Sequence, residues 1–197
     1  TEIYRPMPGP INAAGKILTK MYAYVGIGGI TARDDVFLMT DATVAGNMAV
    51  IGRESQNAAG LGTMRGFFDN LLLTDSGKSL FTENFSASGR SHTAHLLTDN
   101  GALPLEVVAL TGDTVTEGGS FKVLNGVPVV DASERIYFGN ARTGAGISAK
   151  NDTGIWYDEA GSMNLLALEG EDAQLADAAW MGNIRNDVVA GGGGAAF

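Results

Sequence analysis

One apolar pattern occurs three times along the chain at a constant spacing. Its copies are six-residue stretches that begin at Ala49, Val107 and Leu165, so that consecutive copies lie 58 residues apart. A spacing of this length is typical of supersecondary units that become stable only when neighbouring units cover their apolar faces. The pattern therefore predicts three equivalent units. We also expect these three strands to be central in their sheets, with alternate apolar residues buried, because they are the most apolar in their units.

The rest of each repeat follows the same order. Each begins with a turn and an apolar strand, at 11–18, 73–81 and 130–138. The Asn, Asp, Ser and Gly residues of these stretches are typical of chain reversals. A second strand is predicted at 36–40, 95–98 and 154–157, and the apolar pattern described above is the third. Aromatic residues mark a fourth strand and are expected to pack in the core; they are Phe67, Phe68, Phe121 and Trp180.

The first and third repeats share a further element that the second repeat lacks. The segment 29–35 reappears as 146–152, and Ile30 and Ile147 lie 117 residues apart, close to two repeats. The two segments match at polar spacers and turn residues as well as at apolar positions. Such a match is harder to obtain by chance than identity within an apolar strand, and it supports the repeat.

The register divides the chain into a first repeat at 1–70, a second at 71–127 and a third at 128–187. The last segment, 188–197, begins the opening strand of a fourth repeat, with Phe197 lying 59 residues after Phe138. Four short strands per repeat predict an all-β, propeller-like fold, in which three blades are fewer than a closed ring needs. Either the chain is a piece of a longer protein or copies associate. The alternative is a β-trefoil or β-prism, in which the surplus strand has no role.

Composition agrees with a turn-rich all-β protein. The chain has 197 residues, of which 45% are hydrophobic and 28 are glycine, without a collagen period. Cysteine is absent, which excludes disulfides and thiol chemistry. No apolar run approaches the ~20 residues that a membrane-spanning helix needs. The chain begins at Thr1, which we interpret as the result of processing in an exported protein, and we expect an extracellular or cell-surface location.

The charge argues against a nucleic-acid partner. The formal net charge is −9, and the clustered Lys and Arg that bind phosphates are missing. Eight acids lie between 151 and 187 against one base, Arg185. We interpret them as a solvated face, because no loop has the acid spacing of a calcium site. These acids are Asp152, Asp158, Glu159, Glu169, Glu171, Asp172, Asp177 and Asp187.

No constellation of residues indicates catalysis, a cofactor or a metal. His92 and His95 are the only histidines, and a spacing of three on a strand places their rings on opposite faces, without a third ligand nearby. No G-x-S-x-G elbow occurs. The glycines at 26–29 precede a short strand rather than a helix and are interpreted as a turn. The sequence therefore predicts no catalytic, cofactor-binding or metal-binding residues.

The segment 149–173 resembles the tandem repeat of large uncharacterised exported bacterial proteins, whose units read roughly N-D-x-G-I-W followed by L-V-A-x-E-G-D. The first repeat matches at Asn12, Gly15 and, weakly, at Arg53 and Glu54. Gln174-Leu175 stands where that family has Pro-Gly. The resemblance implies a propeller-like architecture and export, and no assigned activity. The matching residues of the third repeat are Asn151, Asp152, Gly154, Ile155, Trp156, Leu166, Ala167, Glu169 and Gly170.

Two classes of function follow. The first is a non-catalytic exported scaffold or self-assembling interaction module, in which the segment 188–197 completes a sheet with another copy of the chain because its strand edge carries no charge or proline. The alternative is a carbohydrate-binding or polysaccharide-acting module with an extracellular glycan as partner. That alternative requires a closed fold in which Trp156 or Tyr157 lines a concave site.

Overall fold

The computed structural model describes residues 3–44, 47–58, 60–66, 68–98, 105–124, 126–170, 189–191 and 194–196. Among these residues the chain forms three multi-stranded antiparallel sheets and no helix, which confirms the all-β prediction. The chain divides into two compact units, an N-terminal unit, Thr1–Val107, and a C-terminal unit, Val108–Phe197.

The first sheet of the N-terminal unit has four strands in the order of the chain. They are β1 (Ile3–Met7), β2 (Leu18–Ala23), β3 (Val36–Val44) and β4 (Asn47–Arg53), each antiparallel to the next. One face of the sheet is apolar and buried, because side chains alternate between the two faces of a strand. Its fully buried residues include Leu18, Leu38 and Ile51.

The second sheet is built around a long hairpin of β8 (Ser79–Ala87) and β9 (Arg90–Thr98), paired over their whole length. Its strand order is β10-β9-β8-β6-β5, and β7 also pairs with β8. The remaining strands are β5 (Asn57–Ala58), β6 (Gly62–Met64), β7 (Asp69–Leu73) and β10 (Glu106–Leu110), and the boundary between the two units falls within β10.

The third sheet lies in the C-terminal unit and has the order β11-β13-β14-β15, with β12 also paired to β13. Its core contains Tyr137, Ile155 and Ala167. Two short strands near the end of the chain, β16 (Val189–Gly191) and β17 (Gly194–Ala196), pair with each other. The strands of the sheet are β11 (Ser120–Val123), β12 (Val129–Val130), β13 (Ile136–Thr143), β14 (Thr153–Glu159) and β15 (Ser162–Leu168).

The three strands with the repeated apolar pattern are equivalent, but the prediction that they are central is wrong. They are β4, β10 and β15, and each is the last strand in its sheet. Ile51, Ala109 and Ala167, which the sequence pattern aligns, are all buried. In the ladders, however, Gly52 and not Ile51 is equivalent to Ala167, because Gly52 pairs with Leu38 and Ala167 pairs with the equivalent Ile155. Each strand also exposes one large apolar residue to between 40% and 46% and buries two consecutive residues, at 51–52, 108–109 and 167–168, so burial does not alternate as predicted. The exposed residues are Val50, Val107 and Leu166.

The topology explains the difference. The strand that we expected to close a repeat instead pairs with the opening strand of the next one, because β6 pairs with β8 and β11 pairs with β13. The second and third sheets thus take their first strands from the end of the preceding repeat, and the third predicted strand becomes the last in each sheet. Phe68 and Phe121 are buried as expected and pack edge-on against Phe81 and Phe138. Phe67 and Trp180 lie outside the described residues.

The three opening turns share one hydrogen-bonding scheme. In each, the side chain of the first residue accepts a hydrogen bond from the N–H of the fifth residue, at 2.9 to 3.0 Å. The N–H of the first residue in turn donates to the carbonyl of the fifth. The fourth residue has a positive φ. A short polar side chain is therefore required at the first position of each turn. The pairs of first and fifth residues are Asn12 and Lys16, Thr74 and Lys78, and Asp131 and Arg135.

The loop shared by the first and third repeats also has one structure. In the first sheet, Asp34 Oδ1 accepts hydrogen bonds from the N–H and hydroxyl of Thr31, at 2.6 and 2.7 Å. In the third sheet, Asn151 Oδ1 accepts the same two hydrogen bonds from Ser148, at 2.7 and 3.3 Å. The match between 29–35 and 146–152 thus corresponds to a matched loop.

A buried carboxylate spans an interruption in the second sheet. The strands β6 and β7 pair with the same side of β8, and the chain between them leaves the ladder. Glu83, which is 1% exposed, accepts hydrogen bonds at Oε1 from the N–H groups of Arg65 (2.7 Å) and Gly66 (2.9 Å). Its Oε2 accepts one from the N–H of Phe68 at 2.7 Å. The carboxylate therefore satisfies the N–H groups of Gly66 and Phe68, which lack a ladder partner, and shares that of Arg65 with the carbonyl of Asn84 in β8.

The third sheet has an amide at the equivalent position. Asn140, which is fully buried, accepts a hydrogen bond at Oδ1 from the N–H of Gly126 at 3.4 Å, beside the gap between β11 and β12. Its Nδ2 has no hydrogen-bond partner among the described residues. The shared position indicates that a polar side chain holds the interruption in both sheets, with more hydrogen bonds in the second.

Replacing Glu83 with glutamine tests this role. The Glu83→Gln amide nitrogen cannot accept a hydrogen bond, so the buried N–H of Phe68 loses its acceptor and the remaining bonds lose their charge. We expect the free energy of unfolding to fall by about 2 to 4 kcal/mol, measured by urea denaturation with far-UV circular dichroism. The control Glu106→Gln, at an exposed carboxylate, should change it by less than about 0.5 kcal/mol. Equal effects of the two variants would contradict the assignment.

Candidate functional site

The candidate site is a pair of adjoining open clefts in the N-terminal unit, with volumes of about 420 and 510 Å³, which we call the polar cleft. Glu54 and Ser55 line both parts. They follow β4 directly, where the chain leaves the first sheet for the β5–β6 hairpin. Other lining residues are Asp34, Arg53 and Gln56 in the smaller part and Arg33, Thr63, Arg65 and Ser86 in the larger.

An ion pair holds one wall of the polar cleft. Asp34 Oδ2 pairs with Arg53 Nη2, and the Arg53 guanidinium lies 5.1 Å from the centre of the Phe37 ring. Hydrogen bonds from the hydroxyl and the N–H of Thr31 lower the pKa of Asp34, and the charge of Arg53 acts in the same direction. Asp34 is therefore ionised at neutral pH, and Arg53 is already partnered.

The carboxyl group of Glu54, which lines the cleft, interacts with the carboxyl group of Asp35. Burial raises the pKa of Glu54, and a hydrogen bond with Asp35 and the charge of Asp35 add to the effect. Glu54 thus keeps its proton to a higher pH than an ordinary glutamate. Gly66, with φ +75°, lies directly against the Glu54 side chain, since a Cβ at this glycine would be 2.9 Å from Glu54 Cβ. The backbone of the second sheet therefore holds Glu54 in place.

Comparison of the first and third repeats shows which residues of the cleft belong to the common fold and which occur in the first repeat only. Asp35 and Glu54 correspond to Asp152 and Glu169, and the N–H groups of Glu54 and Glu169 donate to equivalent carbonyls of Val36 and Thr153, both at 2.9 Å. The acid pair is therefore part of the common architecture. By contrast, the third repeat has Leu168 where the first has Arg53, and Gly170 where the first has Ser55.

The two histidines do not meet. His92 pairs with Phe85 and His95 with Thr82 across the β8–β9 ladder, which places their side chains on opposite faces. Thr82 Oγ1 and His95 Nδ1 are hydrogen-bonded at 2.9 Å, and burial lowers the pKa of His95 to about 4. Among the described residues, no three His, Cys, Asp or Glu side chains are grouped so that they could hold a metal ion. The absence of a metal, cofactor or catalytic residue stays a prediction.

The aromatic residues proposed for glycan binding are not equally accessible. Trp156 is fully buried, packs edge-on against Phe121 at 5.1 Å between ring centres, and donates from Nε1 to Glu117 Oε2 at 3.4 Å. Tyr157 is half-buried and packs against Tyr137 at 5.6 Å. Trp156 is therefore a core residue and cannot stack on a sugar ring.

The structure also tests the interpretations of the glycines at 26–29 and of the acidic residues between 151 and 187. The glycines at 26–29 lie in a turn, where Gly26 N–H donates to the carbonyl of Ile30 at 2.7 Å. The interpretation of the acids between 151 and 187 as a solvated face is wrong for Asp158 and Glu169, which are 7% and 6% exposed. Burial raises the pKa of Asp158. Glu171, Asp172, Asp177 and Asp187 lie outside the described residues.

The sequence reasoning missed the polar cleft itself. Its residues come from the 29–35 loop, the end of β4, β6 and β8, and they are distant in sequence. The signal that was available is the element that the first and third repeats share and the second lacks, because a missing loop leaves space beside its neighbours.

The described residues define an all-β protein whose sheets repeat one pattern of turns and loops and whose N-terminal unit has a polar cleft. A family model matches residues 11–197, and the chain belongs to this family, a family of unknown function (DUF7453). This agrees with the uncharacterised family that the resemblance implies. No curated protein and no solved structure matches the chain. The described residues contain no helix with the length and hydrophobicity to cross a bilayer.

The buried His95 predicts a pH dependence of stability. Between pH 6.5 and about 4 the unfolded chain binds a proton at this residue and the folded chain does not, so stability falls as the pH is lowered through this window. From pH 7 to pH 5 we expect a loss of about 2 kcal/mol from His95, measured as the difference in this pH dependence between wild type and His95→Gln. The raised pKa of Glu54 acts in the opposite direction and cancels in this difference.

His92→Asn is the matched control, because His92 is only half-buried on the same strand. It should keep the wild-type pH dependence. If His95→Gln also kept it, the imidazole of His95 would not be held neutral by burial.

Proposed function

We propose that the chain is a non-catalytic, exported interaction or scaffold module that associates with further copies of itself, and that its sheets are blades of a propeller-like assembly. The three sheets each contain a meander of consecutive antiparallel strands, which is the strand order of a blade. This order favours a propeller over a β-trefoil or β-prism. Export is supported by the resemblance of the third repeat to exported proteins.

The observation that carries the proposal is the hairpin of β16 and β17. Its strands pair through Val189 with Ala196 and Ala190 with Ala195. At the corresponding place in the third sheet, β12 pairs with the start of β13 through Val129 with Tyr137 and Val130 with Ile136. We therefore interpret β16–β17 as the first hairpin of a fourth sheet, where sequence analysis predicted one opening strand.

The strands that correspond to β17 carry a further partner. The opening strand β8 pairs with β9 on its other side, and β13 pairs with β14. Among the described residues, β17 pairs with β16 and with no other strand. A free edge presents N–H and C=O groups that template pairing with another chain. We propose that a strand of a second copy pairs with this edge.

The other sheet edges support an interaction role. The last strands β4, β10 and β15 expose Val50, Val107 and Leu166 and contain no lysine or proline, the residues that discourage pairing at an edge. They contain Arg53 and Glu106 as charged residues. Such edges are typical of surfaces that contact other chains.

Deleting 188–197 tests the proposal. We expect the intact protein to have the mass of two or more chains at micromolar concentration, by size-exclusion chromatography with light scattering, and the truncated protein to have the mass of one. The control Glu159→Gln changes an exposed residue beside the β14–β15 turn, away from the edges described above, and should leave the mass unchanged. An intact protein that is monomeric, or a truncated one that keeps the full mass, would contradict the proposal.

A further inference from the structure

The larger part of the polar cleft is open because the second sheet lacks a loop. In the third sheet, β13 and β14 are joined by the long loop that contains Ile147, and Ile147 Cδ1 lies so close to Gly119 that a Cβ there would clash with it. Gly62 is the equivalent residue of the second sheet, and the nearest atoms to its Cβ position belong to Ser86 and Ala87. There, β8 and β9 are joined by the tight turn at 88–89. The small Ala87 side chain thus stands beside Gly62 where Ile147 stands beside Gly119, and Thr63 and Ser86 next to it line the open cleft.

Two unpartnered cations face this space. Arg33 and Arg65 are exposed and line the cleft, and neither guanidinium has a hydrogen-bond or ion-pair partner among the described residues. The other arginine of the cleft, Arg53, is paired with Asp34. A guanidinium presents two parallel N–H groups that match the oxygens of a carboxylate. Arg33 and Arg65 can therefore hold an oxyanion at this end of the cleft.

Hydroxyl groups line the same part of the cleft as the cations. Thr63 and Ser86 are directly opposite each other in the β6–β8 ladder, and both line the cleft. Ser55 donates its hydroxyl proton to the carbonyl of Arg33 at 2.5 Å, so its oxygen remains able to accept a hydrogen bond from a ligand. Glu54 completes this wall. The cleft thus offers donors and acceptors of neutral hydrogen bonds beside its two cations.

The mixture of groups limits the ligand. Asp34 and Glu54 line the cleft beside the arginines and repel a phosphate dianion more strongly than a single carboxylate, because the dianion has about twice the charge. A neutral sugar would leave both guanidinium groups without an anion. A sugar acid has one negative charge and several hydroxyl groups. Its carboxylate can pair with the arginines, and its hydroxyl groups can form hydrogen bonds with Glu54, Ser55, Thr63 and Ser86 of the cleft. We propose that the polar cleft binds a uronate residue of an acidic polysaccharide. This inference does not rest on self-association of the chain.

The experiment is isothermal titration calorimetry of the intact protein with trigalacturonate, maltotriose and inorganic phosphate. We expect binding of trigalacturonate, and at least about tenfold weaker binding of the other two, since each charge-assisted pair contributes about one order of magnitude. Arg33→Gln and Arg65→Gln should each weaken the binding of trigalacturonate about tenfold. Far-UV circular dichroism confirms that each variant is folded.

Lys150→Gln and Lys122→Gln are the matched controls, because these lysines occupy the positions of Arg33 and Arg65 at the third sheet, where Ile147 packs against Gly119. They should leave the affinity for trigalacturonate within about twofold of wild type. The proposal is overturned if trigalacturonate does not bind at about 10 mM, if phosphate or maltotriose binds as tightly, or if the lysine variants weaken binding as much as the arginine variants.

Discussion

The fold depends on polar side chains that take the place of backbone partners where the sheets are interrupted. A buried N–H without an acceptor costs free energy comparable to a lost hydrogen bond, so each break in a ladder needs a local solution. The opening turns use Asn12, Thr74 and Asp131, whose side chains accept the N–H that ends the turn. The gap between β6 and β7 uses Glu83, which accepts three N–H groups. These acceptors fix where each opening strand begins and where its first neighbour can bend away.

In the opening turn of the third sheet, several hydrogen bonds stabilise the buried carboxylate of Asp131. Burial raises the pKa of Asp131, but hydrogen bonds from the N–H and guanidinium of Arg135 and from the Tyr137 hydroxyl outweigh it and leave the pKa lowered. Burial raises the pKa of Tyr137, and the hydrogen bond to Asp131 acts in the same direction. Because the carboxylate is ionised and fully bonded at neutral pH, the turn can tolerate a buried charge. The equivalent Asn12 and Thr74 perform the same task without charge.

Comparison of the repeats also distinguishes residues that stabilise the common fold from residues that occur in one repeat only. The loop of Thr31 and Asp34 and that of Ser148 and Asn151 share their hydrogen bonds, so their polar residues stabilise the loop. Arg53 and Ser55 have no polar counterparts at Leu168 and Gly170, and the second sheet has a tight turn where the third has a long loop. The polar cleft arises from these departures. Function is therefore better sought where the repeats differ than where they agree.

The sequence by itself determined the all-β class, the equivalence of the strands that contain Ala49, Val107 and Leu165, and the matched loops at 29–35 and 146–152. These features follow from local chemistry, since turn residues and apolar periodicity act over a few residues. Only the tertiary structure decided that β4, β10 and β15 are edge strands, because a strand's neighbour depends on pairing across long stretches of chain. It likewise decided that Glu83 and Trp156 are buried and that Arg33 and Arg65 share one cleft. Burial and proximity of this kind depend on which distant segments the fold brings together, and no local pattern encodes them.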